Sequence, residues 1–195
     1  PDNVSLRALA IPMTNVPLLL LAYRHLFRPS GMTFDEGFGL EIGWANVGRL
    51  VTVVLAVMAA GLWGEWVMDR LSEPFHLSSH WAEWFDADLV WASPSLTAIS
   101  LVEYVIFAPV FEELAFRGLL FAILRRKFRF LPAALISASI FAIAHGYGLV
   151  GFISVLWSGV LWAWLYEKTG SLLPGILAHV INNLLVCMAV MALLR

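Results

Sequence analysis

Apolar residues run along this chain in long blocks broken by short polar clusters, with none of the strict alternation of a half-buried strand. A hydrocarbon core about 30 Å thick needs roughly 20 helical residues to cross it. By that ruler a first span covers Leu6–Phe27, interrupted by Pro12 and Pro17, and a second covers Val47–Met68. Between them Gly31–Trp44, with Asp35, Glu36 and Glu41, reads as a loop or an interfacial piece. Asp69–Pro94 mixes Trp81, Trp84 and Trp91 with Glu83, Asp86 and Asp88, a blend that suits a helix lying in the interface. A third span, Leu96–Leu124, is long enough to tilt or to kink at Pro109 and ends in Arg125, Arg126, Lys127 and Arg129.

Leu131–His145 is a shorter helix stopped by Gly146 and Gly148, and Leu149–Tyr166 follows it. Thr169-Gly170-Ser171 predicts a tight connection, with Gly170 at a helix C′ position and Ser171 at the next N-cap. The last helix runs to Leu194. The pattern therefore predicts an all-α fold, a polytopic transmembrane helical bundle of about six spans plus an interfacial helix, since backbone in lipid must bond within its own helices. Residues 1–95 form its N-terminal helices and residues 96–195 the core that carries the chemistry. Gly118, Gly146, Gly151, Gly159 and Gly175 would let helices of that core approach closely.

Composition agrees. Of 195 residues 61% are hydrophobic and 13% charged, and the mean hydropathy is +0.82. Soluble domains hold about 25% charged residues, so the ordinary globular class is excluded. A net charge of −2 gives no electrostatic case for a nucleic-acid partner. The one cysteine, Cys187, rules out an internal disulfide and a thiolate metal cluster, and reads as apolar filler. Position 1 is Pro, as expected of a piece trimmed from a longer chain, and no secretory signal precedes the first apolar run. Arg24, Arg28, Arg49, the Arg125–Arg129 cluster and Lys168 fall on one side of a six-span arrangement. The positive-inside rule makes that side cytoplasmic.

Against this background a few polar residues stand out. Glu112-Glu113-x-x-x-Arg117, Phe141-x-x-x-His145 and His179-x-x-x-Asn183 lie inside apolar helices, where ionisable groups are costly and mark functional sites by default. With a rise of about 1.5 Å per residue, Glu112 lies roughly 20 Å and His145 about 21 Å from the basic side, and His179 and Asn183 roughly 12 and 18 Å. Three helices thus bring polar groups to one layer. Glu113 and Arg117 share a helical face and can neutralise one another. Glu112 points elsewhere, which leaves it free for chemistry as a general base. His179 and Asn183 share a face and could aim donors at one oxygen.

These three motifs resemble those of the CAAX protease and bacteriocin-processing family of intramembrane endopeptidases, which includes the Ras-converting CAAX prenyl endopeptidase. They stand here as Glu112-Glu113-Leu114-Ala115-Phe116-Arg117, Phe141-Ala142-Ile143-Ala144-His145 and His179-Val180-Ile181-Asn182-Asn183. The flanks Phe116-Arg117-Gly118 and Thr169-Gly170-Ser171-Leu172 match as well, so the resemblance covers about Leu96–Met191. It implies a protease in which Glu112, assisted by His145, activates water, and His179 and Asn183 stabilise the oxyanion. Glu113 and Arg117 would hold the first motif in place, with Phe141 packing beneath His145. The resemblance implies no cofactor. The alternative is Zn²⁺ on Glu112, His145 and His179, which the lack of a His-Glu-x-x-His motif and the presence of Asn183 disfavour. The implied partners are membrane lipids and a peptide or lipidated protein substrate. The implied location is the bacterial or archaeal cell membrane, as a multi-pass integral protein.

Blander readings stand beside these. His145 alone could be an interfacial helix-end residue, and His179 and Asn183 could be interhelical glue. Glu65 and Glu103 are further acids within predicted spans, assigned to helix ends, partner contacts or a water-filled vestibule. His25, His76 and His80 fall at boundaries and read as solvated. The same fold could also serve as a non-proteolytic membrane binding or regulatory protein. A transporter would call for matched discontinuous helices in two halves, and no such internal symmetry is visible.

Overall fold

A computed structural model describes residue 13 and residues 15–41, 47–77 and 93–193, and among these there is helix and turn but no strand. Helix α1 (residues 15–27) ends in a π-turn, Tyr23–Phe27, and α2 is the short Phe34–Phe38. Then come α3 (Val47–Ser72), α4 (residues 94–125), α5 (Phe130–His145), α6 (Leu149–Thr169) and α7 (Leu173–Leu193). Among the described residues three stretches are long and apolar enough to cross a membrane: Val47–Phe75, Leu149–Thr169 and Leu173–Ala192. Helix α5 is apolar but shorter. Residues 6–12 and 14 of the expected first span and the tryptophans Trp81, Trp84 and Trp91, with His80, lie outside the described residues.

Helix α5 shows why the bundle closes. Its buried side is Ala133, Ala134, Ser137, Ala138, Phe141 and Ala142, whereas Leu131, Leu135, Ile136, Ile140 and Ile143 are exposed. Lipid is as apolar as leucine, so helices associate there through close packing, which small residues permit. Gly159 of α6 meets that small face. A Cβ at Gly159 would stand 2.9 Å from Ala138 Cβ and 3.2 Å from Arg117 Nη2. Helix α3 runs antiparallel along the other side of α6. The Trp157 indole N–H donates to Ala60 O at 3.0 Å, in space left open by Gly64. Val54, Val57, Phe141, Trp162, Leu165 and Ala178 form the core where α3, α5, α6 and α7 meet.

Helix α4 meets Pro109 with a change of winding. It stays continuous but widens into π-turns over Glu103–Phe107 and Leu114–Phe121. The first lies just before Pro109, whose ring would otherwise clash with the carbonyl four residues back. Widening the helix relieves that clash.

Part of the Gly31–Trp44 segment is built into the bundle, and its residues 42–44 lie outside the described residues. Thr33 and Glu36 form a capping box: Thr33 N–H donates to Glu36 Oε2 at 2.8 Å, and Glu36 N–H to Thr33 Oγ1 at 3.3 Å. These bonds hold the Glu36 carboxyl below its ordinary pKa. The cap starts α2, which buries Phe38 completely against Leu19, Leu114 and Leu172. Gly39, at φ 64°, turns the chain so that its carbonyl accepts from Leu172 N–H at 2.7 Å.

The expected tight turn is present. Gly170 is left-handed at φ 67°, its N–H donates to Tyr166 O at 2.8 Å, and Ser171 Oγ accepts from Leu173 N–H at 3.3 Å. Gly146, expected to stop α5, closes it as a left-handed cap at φ 67°. At the basic end of the bundle Arg125 grips Glu167 through two bonds of 2.7 and 3.0 Å, fixing the end of α4 to the end of α6.

Gly159→Ala is expected to force α5 and α6 apart and to destabilise the protein by about 1–3 kcal/mol. Gly61→Ala, whose new Cβ would lie 3.9 Å from Leu161, should be neutral or better. Thermal unfolding of both variants in detergent checks the contrast.

Candidate active site

The two glutamates of α4 part company. Glu113 is fully buried, while Glu112 keeps 28% of its side chain exposed. Glu113 Oε1 lies 2.9 Å from Arg117 Nη1, the pairing that their spacing predicts. Arg117 is itself buried, and α5 and α6 supply its further contacts. Nη2 donates to Gly159 O at 3.2 Å, and the guanidinium lies 4.4 Å from the Phe141 ring centre and 5.1 Å from that of Trp162. Gly159 therefore works twice, as a close-approach point and as a buried carbonyl acceptor.

Glu113 reaches α7 as well. His179 Nδ1 lies 3.1 Å from Glu113 Oε1. An ionised carboxylate only accepts, so Nδ1 carries the proton and donates. The other nitrogen, Nε2, points at Glu112 Oε2 from 3.5 Å. The ring is clamped in that pose by Trp162, stacked at 3.9 Å and 22°, with Phe141 edge-on at 6.0 Å. Phe141 also packs edge-on against His145 at 4.5 Å. Its carbonyl accepts from His145 Nδ1 at 2.8 Å, which leaves Nε2 of neutral His145 as an acceptor. Asn183, one turn beyond His179, donates from Nδ2 to Tyr104 O at 2.9 Å.

Glu112, His145, His179 and Asn183 thus line one cavity of about 360 Å³, together with Tyr104, Tyr147 and Trp162. Glu65 and Asp69, one turn apart on α3, line it too, which gives Glu65 the vestibule place among its expected roles. Cys187 lies in its wall. Glu113, Arg117 and Phe141 support the cavity from behind, though Phe141 also reaches its surface. Among the described residues no three His, Cys, Asp or Glu side chains converge as a metal-ligand set. His179 commits Nδ1 to Glu113 and His145 commits Nδ1 to a carbonyl, so each ring has only Nε2 left for the cavity.

Trp162 is the main residue that motif reading overlooked. Its signal was faint: it follows Gly159 by three positions and so shares a helical face with it. The stacking on His179 arises between helices and has no local signature. The pair Glu65 and Asp69 was more legible, as two carboxylates at i,i+4 near a helix end.

Arg117→Met is expected to cost about 3–5 kcal/mol, because it strands Glu113 as a buried charge. Arg117→Lys should fail to restore stability, since an ammonium can neither lie flat on Phe141 nor reach Glu113 and Gly159 O together. Thermal unfolding in detergent measures both.

Residues 94–185 match the family described as type II CAAX prenyl endopeptidase Rce1-like. The motif resemblance is therefore borne out over that segment. A curated protein of Bacillus subtilis (strain 168), named "Putative membrane peptidase YdiL", is 32% identical over 96 residues. That alignment covers 49% of this chain and 37% of the relative, so the chain spans well under half the relative's length. No solved structure matches. The apolar helices and these similarities together describe an integral membrane protein.

Proposed function

We propose, on the premise that residues 94–185 form a Rce1-like segment, that this chain is an intramembrane endopeptidase. One observation carries the reading: Glu112, His145, His179 and Asn183, from three helices, line a single cavity in an apolar bundle, with Glu112 3.5 Å from His179. Four polar side chains gathered at such depth are expensive unless they act on something.

In the proposed reaction a water oxygen adds to a peptide carbonyl carbon while its proton passes to Glu112, with His145 Nε2 accepting a hydrogen bond from that water. The carbonyl oxygen becomes an oxyanion. Asn183 uses one Nδ2 proton on Tyr104 O and retains a second for that oxyanion. His179 joins it at the oxyanion when its Nε2 is protonated, with Nδ1 held on Glu113. Collapse of the intermediate breaks the C–N bond, and the proton held by Glu112 goes to the leaving amine. The reading needs no metal. The substrate is a peptide or lipidated protein segment delivered through the membrane, and a CAAX-type C-terminus is one candidate. The protein would act as a multi-pass protein of a bacterial or archaeal cell membrane.

Glu112→Gln, nearly isosteric, is expected to lower the cleavage of internally quenched peptides in proteoliposomes by at least about 10²–10⁴-fold, with unfolding behaviour retained. Asn183→Ala should lose about 10²–10³-fold in kcat. Chelators should leave wild-type cleavage unchanged, and metal analysis of the purified protein should find no stoichiometric zinc. Normal cleavage by both variants would defeat the assignment. Activity lost on chelation and restored by Zn²⁺ would favour the metalloprotease instead. Absence of any wild-type cleavage would favour a non-proteolytic membrane-binding role.

A further inference from the structure

The π-turn Glu103–Phe107 and Pro109 raise a question of backbone hydrogen bonding that leads into the site. In an α-helix the carbonyl of Tyr104 would accept from the N–H of Ala108. Here the Ala108 N–H donates to Glu103 O instead, one residue further back. In that wider register the donor for Tyr104 O would be the N–H of residue 109, and proline has none. The carbonyl is met from another helix: Asn183 Nδ2 of α7 donates to Tyr104 O at 2.9 Å. Pro109 is buried, and water-poor surroundings make a bonded carbonyl obligatory.

We infer that Pro109 is a positioning residue for Asn183. By removing the backbone donor to Tyr104 O, it creates the acceptor that draws the Asn183 carboxamide across to α4. Tyr104, Ala108, Glu112 and Asn183 all line the cavity, so the carboxamide is held against the same wall as the proposed base. One Nδ2 proton is fixed on the backbone and the second has its direction set by that bond. Pro109 itself is absent from the cavity lining and acts only through the carbonyl. The inference rests on the proposed proteolytic reading where it concerns catalysis, and is independent of it where it concerns Asn183.

The test is a double-mutant cycle on the full chain, in detergent for stability and in proteoliposomes for cleavage of an internally quenched peptide. Pro109→Ala restores an N–H and removes a helix breaker, so its Tm should rise or hold. With Pro109 in place, Asn183→Ala should lower Tm by about 2–4 °C or more, because the Asn183–Tyr104 O bond is lost. In the Pro109→Ala background the same change should cost less than half as much, since the backbone then supplies the bond. Pro109→Ala alone should lower kcat about tenfold or more, at little change in KM. A purely structural proline would not combine higher stability with lower kcat. Equal Tm losses from Asn183→Ala in the two backgrounds would overturn the inference. Coupled stabilities with kcat unchanged would leave Asn183 positioned by Pro109 and overturn its oxyanion role. Coupled stabilities with no cleavage by wild type would sustain the positioning and remove the proteolytic reading.

Discussion

A buried ion pair organises the half of this protein that carries the candidate site. Glu113 and Arg117 are almost wholly withdrawn from solvent, and in such surroundings the desolvation of two charges exceeds their attraction unless further partners complete the set. Here three neighbouring helices contribute them. Helix α6 gives the Gly159 carbonyl and the Trp162 face, α5 the Phe141 face, and α7 the His179 N–H. The pair thus makes the packing of four helices conditional on one another. Glu113 Oε2 has no hydrogen-bond partner among the described residues and lies under Gly175, where an added Cβ would stand 3.3 Å away.

The same pair sets the chemistry of its neighbours. Since Glu113 fixes the proton of His179 on Nδ1, the reactive nitrogen is Nε2, and the stacked Trp162 fixes where it points. His145 is treated in parallel by a backbone carbonyl in place of a carboxylate. Both imidazoles therefore present Nε2, with orientations set by groups that take no direct part in the proposed reaction. Such outer contacts are what hold a polar constellation rigid where water cannot screen mistakes.

Much of this was legible beforehand because hydrocarbon is intolerant. A glutamate, an arginine or a histidine in an apolar helix stands out without any alignment, and i,i+4 spacing was enough to separate Glu113, paired with Arg117, from Glu112. Helix ends were legible where glycine was needed, as at Gly170. The Thr33-x-x-Glu36 capping box was present in the chain but overshadowed by the acids around it, so α2 and its buried Phe38 emerged only in three dimensions.

What the residues determined on their own was local or periodic: which segments are helical, which faces are apolar, and which few polar groups lie at depth. Each of those follows from the covalent chain and the solvent around it. The tertiary structure alone decided which nitrogen of each imidazole is available, that Trp162 clamps His179, and that a carbonyl released near Pro109 is answered by Asn183 from a helix 79 positions away. These depend on distances between helices, and such distances are set by the summed close packing of small residues such as Gly159 and Ala138, which no single stretch of sequence contains.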